Sequence, residues 1–249
     1  MPTGHIALMG GNEFRPDCEA MDRSILARIG GIPRVAIVPT AAARENPKLA
    51  AENGVRYFRG LGARAEPVLV VDSVTAGQSA PAARARSADL VYFTGGDPVY
   101  LLEAIRGSLF WQAVRNALYG GCVLAGSSAG AMVCGGMMWA PGAGWREGLG
   151  LLPRIAILPH HSTLRKKWNP RAMRPALPRS VLLVGIDEAT ALFGPPWEVI
   201  GAGEVVVYSG NKLSAFAEGE KIPEETGKKI GGLRSHGREG KTSPQCRKP

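Results

Sequence analysis

The chain has 249 residues, 45% of them hydrophobic and 20% charged, the balance of an ordinary globular protein that can bury a full core in one domain. No run approaches the roughly 18 unbroken apolar residues that cross a bilayer, and the first residues hold no basic segment followed by an apolar one, so the expectation is a cytoplasmic protein with no membrane partner. The net charge of +9 raises nucleic acid as a partner, but from Asn211 onward nine Lys/Arg face five Glu; much of the excess lies outside the expected core, which argues against that class.

Residues 6–9 read as a short strand ending in Gly10-Gly11-Asn12, with Asp17 placed to cap a helix running to residue 29. A buried strand follows at 34–38. Across 47–61, Leu49, Ala50, Val55 and Phe58 recur at roughly helical spacing. Residues 66–71 form a third strand, and the Ala/Ser/Arg-rich stretch 75–86 a helix. The next strand, 90–93, runs into Thr94-Gly95-Gly96-Asp97-Pro98. A helical apolar stripe then spans 99–119 with a break at Gly107-Ser108, and 122–125 is a buried strand.

This alternation predicts an α/β fold: a three-layer, doubly wound, mostly parallel sheet. Ligands bind such sheets at the carboxyl ends of the strands, where Gly95-Gly96 and Ser128 would lie. Residues 137–150 read as a Trp- and Gly-containing loop. A strand at 155–158 leads to Pro159-His160-His161, and a basic helix or loop reaches residue 179. Short strands at 181–186, 191–193, 198–200 and 205–208 suggest a C-terminal antiparallel extension of the sheet. The expected division is an α/β catalytic domain over 1–210 and a basic, disordered tail over 211–249.

Chemistry concentrates at Gly126-Ser127-Ser128-Ala129-Gly130, which fits G-x-S-x-G, the nucleophile elbow. A sharp strand-to-helix turn would expose the Ser128 hydroxyl in strained geometry. A side chain at Gly126 or Gly130 would collide with facing backbone. The Ala129 amide, at a helix N-terminus, favours an oxyanion. Serine needs a base, usually a histidine oriented by a carboxylate. Of four histidines, His5 begins a strand and His236 lies in the tail. His160 and His161 end a strand and, on an extended segment, point opposite ways, so at most one faces the site. Asp187 and Glu188 follow another strand under the same restriction. The order Ser, His, acid differs from that of the lipase-like hydrolases. Four cysteines, at 18, 122, 134 and 246, have neither C-x-x-C spacing nor histidine companions, which argues against a zinc site or disulfides.

Phe93-Thr94-Gly95-Gly96-Asp97, Ala125 to Ala131, Gly148-Leu149-Gly150-Leu151-Leu152-Pro153 leading to His160, and Gly185 to Leu192 occur in one order. On these segments the chain resembles the serine peptidases that include peptidase E, an aspartyl dipeptidase, and cyanophycinase, which share the class I glutamine amidotransferase-like fold. The likeness spans most of residues 5–209. It implies Ser128 as nucleophile, His160 as base, Glu188 as orienting acid, and the Gly96 and Ala129 amides as the oxyanion hole, with Asp187 and His161 as alternates. The chain departs from cyanophycinase-like relatives at Pro98, where they tend to have Gln, and in the segment 161–168.

Asp97 and Arg165 are expected to bind substrate, Arg165 as the member of the cluster Arg165, Lys166, Lys167, Arg171 and Arg174 nearest the histidine. The expected activity is hydrolysis of an amide bond in a small peptide, with aspartyl or isoaspartyl peptides as candidates. No metal or organic cofactor is expected, and a homodimer is left open. A non-catalytic binding protein on the same fold is the alternative; a glutamine amidotransferase ranks lower because the elbow carries serine rather than a thiolate.

Overall fold

The computed structural model describes residues 4–210 and 212–231. Its first sheet holds seven strands in the order β11-β10-β1-β5-β4-β2-β3. These are β1 Ile6–Met9, β2 Arg34–Val38, β3 Arg64–Pro67, β4 Leu90–Phe93, β5 Val123–Ser127, β10 Thr190–Gly194 and β11 Glu198–Gly201. β1 to β5 pair in parallel, and β10 and β11 add the antiparallel extension at the β1 side. Met9 is in register with Ser127, Phe93 with Gly126 and Val38 with Phe93, so the carboxyl ends of β1, β2, β4 and β5 share one rim.

Helices cover both faces. Ala7, Met9, Ile37, Tyr92 and Ala125 alternate onto the face covered by α1 Glu19–Ile29 and α2 Pro47–Gly60. There the rings of Phe58 and Tyr92 meet edge to face at 5.3 Å, and each buried aromatic of this size contributes about 2–3 kcal/mol. The opposite face packs against α4 Ser79–Ser87, α5 Pro98–Ile105 and α6 Leu109–Tyr119. A four-residue α3, Ser73–Ala76, precedes α4. The helical stripe breaks at Gly107-Ser108 because the Ser108 hydroxyl caps α6, accepting the Trp111 amide at 3.0 Å, worth about 1 kcal/mol.

A second sheet was not foreseen. Its order is β13-β12-β9-β8-β6-β7, with β6 Gly135–Ala140, β7 Gly144–Glu147, β8 Leu152–Leu158, β9 Leu182–Ile186, β12 Val205–Ser209 and β13 Lys212–Phe216. The stretch expected as a loop over 137–150 is therefore largely the hairpin β6–β7. Trp139 and Trp145 pair across it with centroids 5.4 Å apart, a cross-strand aromatic contact that outweighs the flanking glycines.

Other expectations shift. Asp17 does not cap α1: it lies in a 3-10 turn, Pro16–Cys18, and accepts a hydrogen bond from the Asn12 amide at 3.3 Å. The third strand is 64–67 rather than 66–71, since its partner β2 runs out at Val38. The described part of the expected tail is structured: β13 pairs with β12, Ile222 and Ile230 are buried, and α10 spans Glu224–Ile230. Residues 232–249, including His236 and Cys246, lie outside the described residues. Among the described residues no helix is long and apolar enough to cross a membrane.

Candidate active site

Ser128 joins β5 to the short helix α7, Ala129–Met132, with φ 49° and ψ −107°. For a non-glycine residue that backbone costs on the order of 1–3 kcal/mol and persists only where the surroundings hold it. They do so by close packing: a Cβ on Gly126 would sit 2.4 Å from the Gly130 carbonyl carbon, and one on Gly130 2.6 Å from the Phe93 carbonyl oxygen. The collision expected from the motif is what makes this turn.

β8 and β9 run in parallel with Leu158 opposite Gly185, so the residues just past their ends, His160-His161 and Asp187-Glu188, become neighbours. His160 Nε2 lies 3.1 Å from Ser128 Oγ, and its Nδ1 lies 3.2 Å from Glu188 Oε1. The second Glu188 oxygen accepts the Ser162 hydroxyl. Burial pushes the Glu188 carboxyl up, but hydrogen bonds from Ser162, Thr163 and His160 outweigh it and hold the group below its usual range. It is thereby kept charged.

The adjacent histidine and acid make a separate pair. His161 is buried, its Nδ1 3.1 Å from Asp187 Oδ1 and its Nε2 2.8 Å from the Tyr208 hydroxyl. The two imidazoles diverge, as expected, but not through strand alternation. His160 adopts a left-handed conformation, φ 50° and ψ 38°, and His161 opens helix α8, His161–Trp168. Asp187 also accepts the Glu204 amide at 3.1 Å. Burial raises its carboxyl, and these bonds bring it back below the usual range.

The turn after β1 ties the parts together. The Met9 carbonyl accepts the Ser128 amide at 3.1 Å, the Gly10 carbonyl the His160 amide at 2.7 Å, and the Gly11 carbonyl the Ala189 amide at 3.3 Å. Two residues on, Glu13 accepts the Gly95 amide and the Ser127 hydroxyl, each at 2.7 Å. It joins the loop after β4 to the elbow.

Gly96 is exposed and its amide has no hydrogen-bond partner among the described residues. Ala129 supplies the first amide of α7, which no intrahelical carbonyl can reach. Asp97 is committed to structure: its Oδ1 accepts the Val99 and Tyr100 amides at 2.9 and 3.0 Å, capping α5, and its Oδ2 meets Arg44 at 3.4 Å. Arg165 is exposed on α8 one turn after His161. Among the described residues no three His, Cys, Asp or Glu side chains gather as a metal site. Cys122 and Cys134 are buried, and burial pushes both thiols up to about 12, far from a reactive thiolate.

Sequence reasoning missed Glu13, Ser162 and Tyr208. Glu13 carried one usable signal, its place just beyond a strand's carboxyl end. Tyr208 had none, because its partner His161 is 47 positions away.

The model of Peptidase family S51 matches residues 6–194. Among solved structures, a peptidase from an acI-B1 Actinobacterium is similar at 29% identity and a TM-score of 0.78, over 88% of this chain and 96% of that one. A putative peptidase E protein from Listeria monocytogenes EGD-e is similar in fold, at 16% identity and a TM-score of 0.56, over 86% and 98%. No curated protein matches. With three quarters of its length matched by one family model, and an alcohol, an imidazole and a carboxylate aligned at one rim, the chain belongs to peptidase family S51, the serine-type peptidases.

Proposed function

We propose that the chain hydrolyses an amide bond in a small peptide, with an aspartyl or isoaspartyl residue beside the scissile bond, through Ser128, His160 and Glu188. The observation that carries this reading is the unbroken line of hydrogen bonds from Ser128 Oγ through both ring nitrogens of His160 to Glu188. Ser128 Oγ attacks the carbonyl carbon while His160 Nε2 takes its proton, and the imidazolium is held by Glu188 through Nδ1–H. The Gly96 and Ala129 amides receive the oxyanion. The proton passes from Nε2 to the leaving amine as the C–N bond breaks, and water, deprotonated by the same nitrogen, then releases the acyl group and restores Ser128.

Arg165 is the proposed partner of a substrate carboxylate, since it is exposed close to the base. The described cysteines, Cys18, Cys122 and Cys134, are free thiols, which suits a reducing compartment and supports a cytoplasmic setting. The test is a panel of N-terminal aspartyl and isoaspartyl dipeptides, with Ser128→Ala as control and a serine-directed phosphonate as label. Turnover and labelling of the native chain, both lost in Ser128→Ala by about a thousandfold or more, are expected. A chain that neither cleaves nor labels would instead be a binding protein on this fold.

A further inference from the structure

Away from Ser128, the outer face of the second sheet holds a cavity of about 660 Å³. It lies between the turn that follows α9, Pro170–Met173, and the β12–β13 end. Its lining includes Arg171, Arg174, Arg179 and Lys212, together with Tyr208 and Leu213, and among the described residues no carboxylate. Four cations converging without an acid raise the local concentration of anions, because like charges there go uncompensated by the protein itself.

Arg174 makes the stronger argument. Its residue is only 6% exposed, and burying a guanidinium is costly unless charge or hydrogen bonds compensate it. Its Nη1 donates to the Leu177 and Pro178 carbonyls at 3.3 and 3.5 Å, and its Nη2 to the Arg179 carbonyl at 3.3 Å. These are neutral and long. Its Nε has no partner among the described residues. A guanidinium carries five N–H donors in a planar fork suited to paired oxygens, so at this cavity's wall a buried cation is held by neutral carbonyls alone, with its Nε enclosed behind the surface.

We infer that this cavity is a binding site for a small, multiply charged anion bearing phosphate or carboxylate groups. Arg174 contributes an uncompensated positive charge at the wall, and Arg171, Arg179 and Lys212 surround the ligand's charge. The Leu213 and Tyr208 side chains leave room for an apolar portion of the ligand. The site adjoins the catalytic rim through one wall: Tyr208 is hydrogen-bonded to His161, the residue next to His160. It does not depend on the proposed peptide chemistry, because binding can be read without turnover.

The experiment is calorimetric titration of the full chain at low ionic strength with pyrophosphate and, separately, with citrate. Saturable binding of one molecule per chain by either probe is expected, and the probe that binds more tightly separates a phosphate from a carboxylate source. Arg171→Ala combined with Lys212→Ala, both exposed positions, should weaken it by about tenfold or more. Arg56→Ala combined with Arg64→Ala, on and beside α2, should leave it unchanged. Arg174→Met should abolish it, with a thermal melt to confirm folding. Absence of saturable binding by both probes, or equal weakening in the two double variants, overturns the proposal.

Discussion

Gly11 packs so closely against the His160 imidazole that a Cβ there would lie 2.1 Å from the ring's Cε1. Its φ of 133° adds a backbone conformation that side chains rarely adopt. Gly11→Ala should therefore push the imidazole off its line between Ser128 and Glu188. A displacement of this kind costs about a hundredfold in kcat. Steady-state kinetics on a cleaved dipeptide should show that loss with KM little changed.

The two acids at the end of β9 should separate cleanly. Glu188→Gln leaves the ring of His160 without its anionic partner and should lower kcat by about a thousandfold or more. Asp187→Asn alters the His161 pair and the bond from the Glu204 amide, neither of which touches Ser128, and should cost about tenfold at most, showing instead as a lower melting temperature. Parallel kinetics and thermal denaturation of the two variants make the comparison.

Glu13 holds the Gly95 amide and the Ser127 hydroxyl, each at 2.7 Å. Glu13→Ala should reduce kcat by about tenfold or more, through the neighbouring Gly96 amide. Glu13→Gln, which keeps one acceptor oxygen, should recover part of that loss, and KM should stay near its original value in both.

Asp22 predicts a pH dependence of stability. It is buried at the α1–α2 contact, with one carboxylate oxygen accepting the Tyr57 hydroxyl at 2.8 Å and the other without a partner among the described residues. Burial pushes its carboxyl up from 3.8 to about 7, against the pull of the Tyr57 bond. Between those values the folded chain holds a proton that the unfolded chain has released, so stability falls as pH rises from about 4 to about 7 and stays reduced above. Asp22→Asn keeps an acceptor for Tyr57 and should flatten that slope, gaining on the order of 2 kcal/mol at pH 8 in urea denaturation.

The parallel half of the fold was legible because its strands are short apolar runs separated by helical stripes, and Ser128 because its turn needs small residues at fixed spacing. That His160 rather than His161 reaches Ser128 was implied by the family resemblance but not by the local residues. It depends on the left-handed backbone of His160, and nothing local in Pro159-His160-His161 announces it. The second sheet escaped for a different reason: β6 begins with paired glycines and its stability comes from Trp139 meeting Trp145 across a hairpin. Glu13 escaped because a carboxylate bound to Gly95 and Ser127 joins positions more than 80 apart in the chain.

The pairing of Lys212–Phe216 with Val205–Ser209 bears on how the molecule can be shortened. A chain cut after Gly210 would leave that inner strand with bare amides and carbonyls along one side, an invitation to stick to other copies. It would also lose Ile222, whose amide binds the Trp197 carbonyl at 2.9 Å, and the Gly231 carbonyl that receives the Trp197 indole at 3.1 Å. Versions made to remove the basic end should therefore stop beyond Gly231, which keeps both of these contacts.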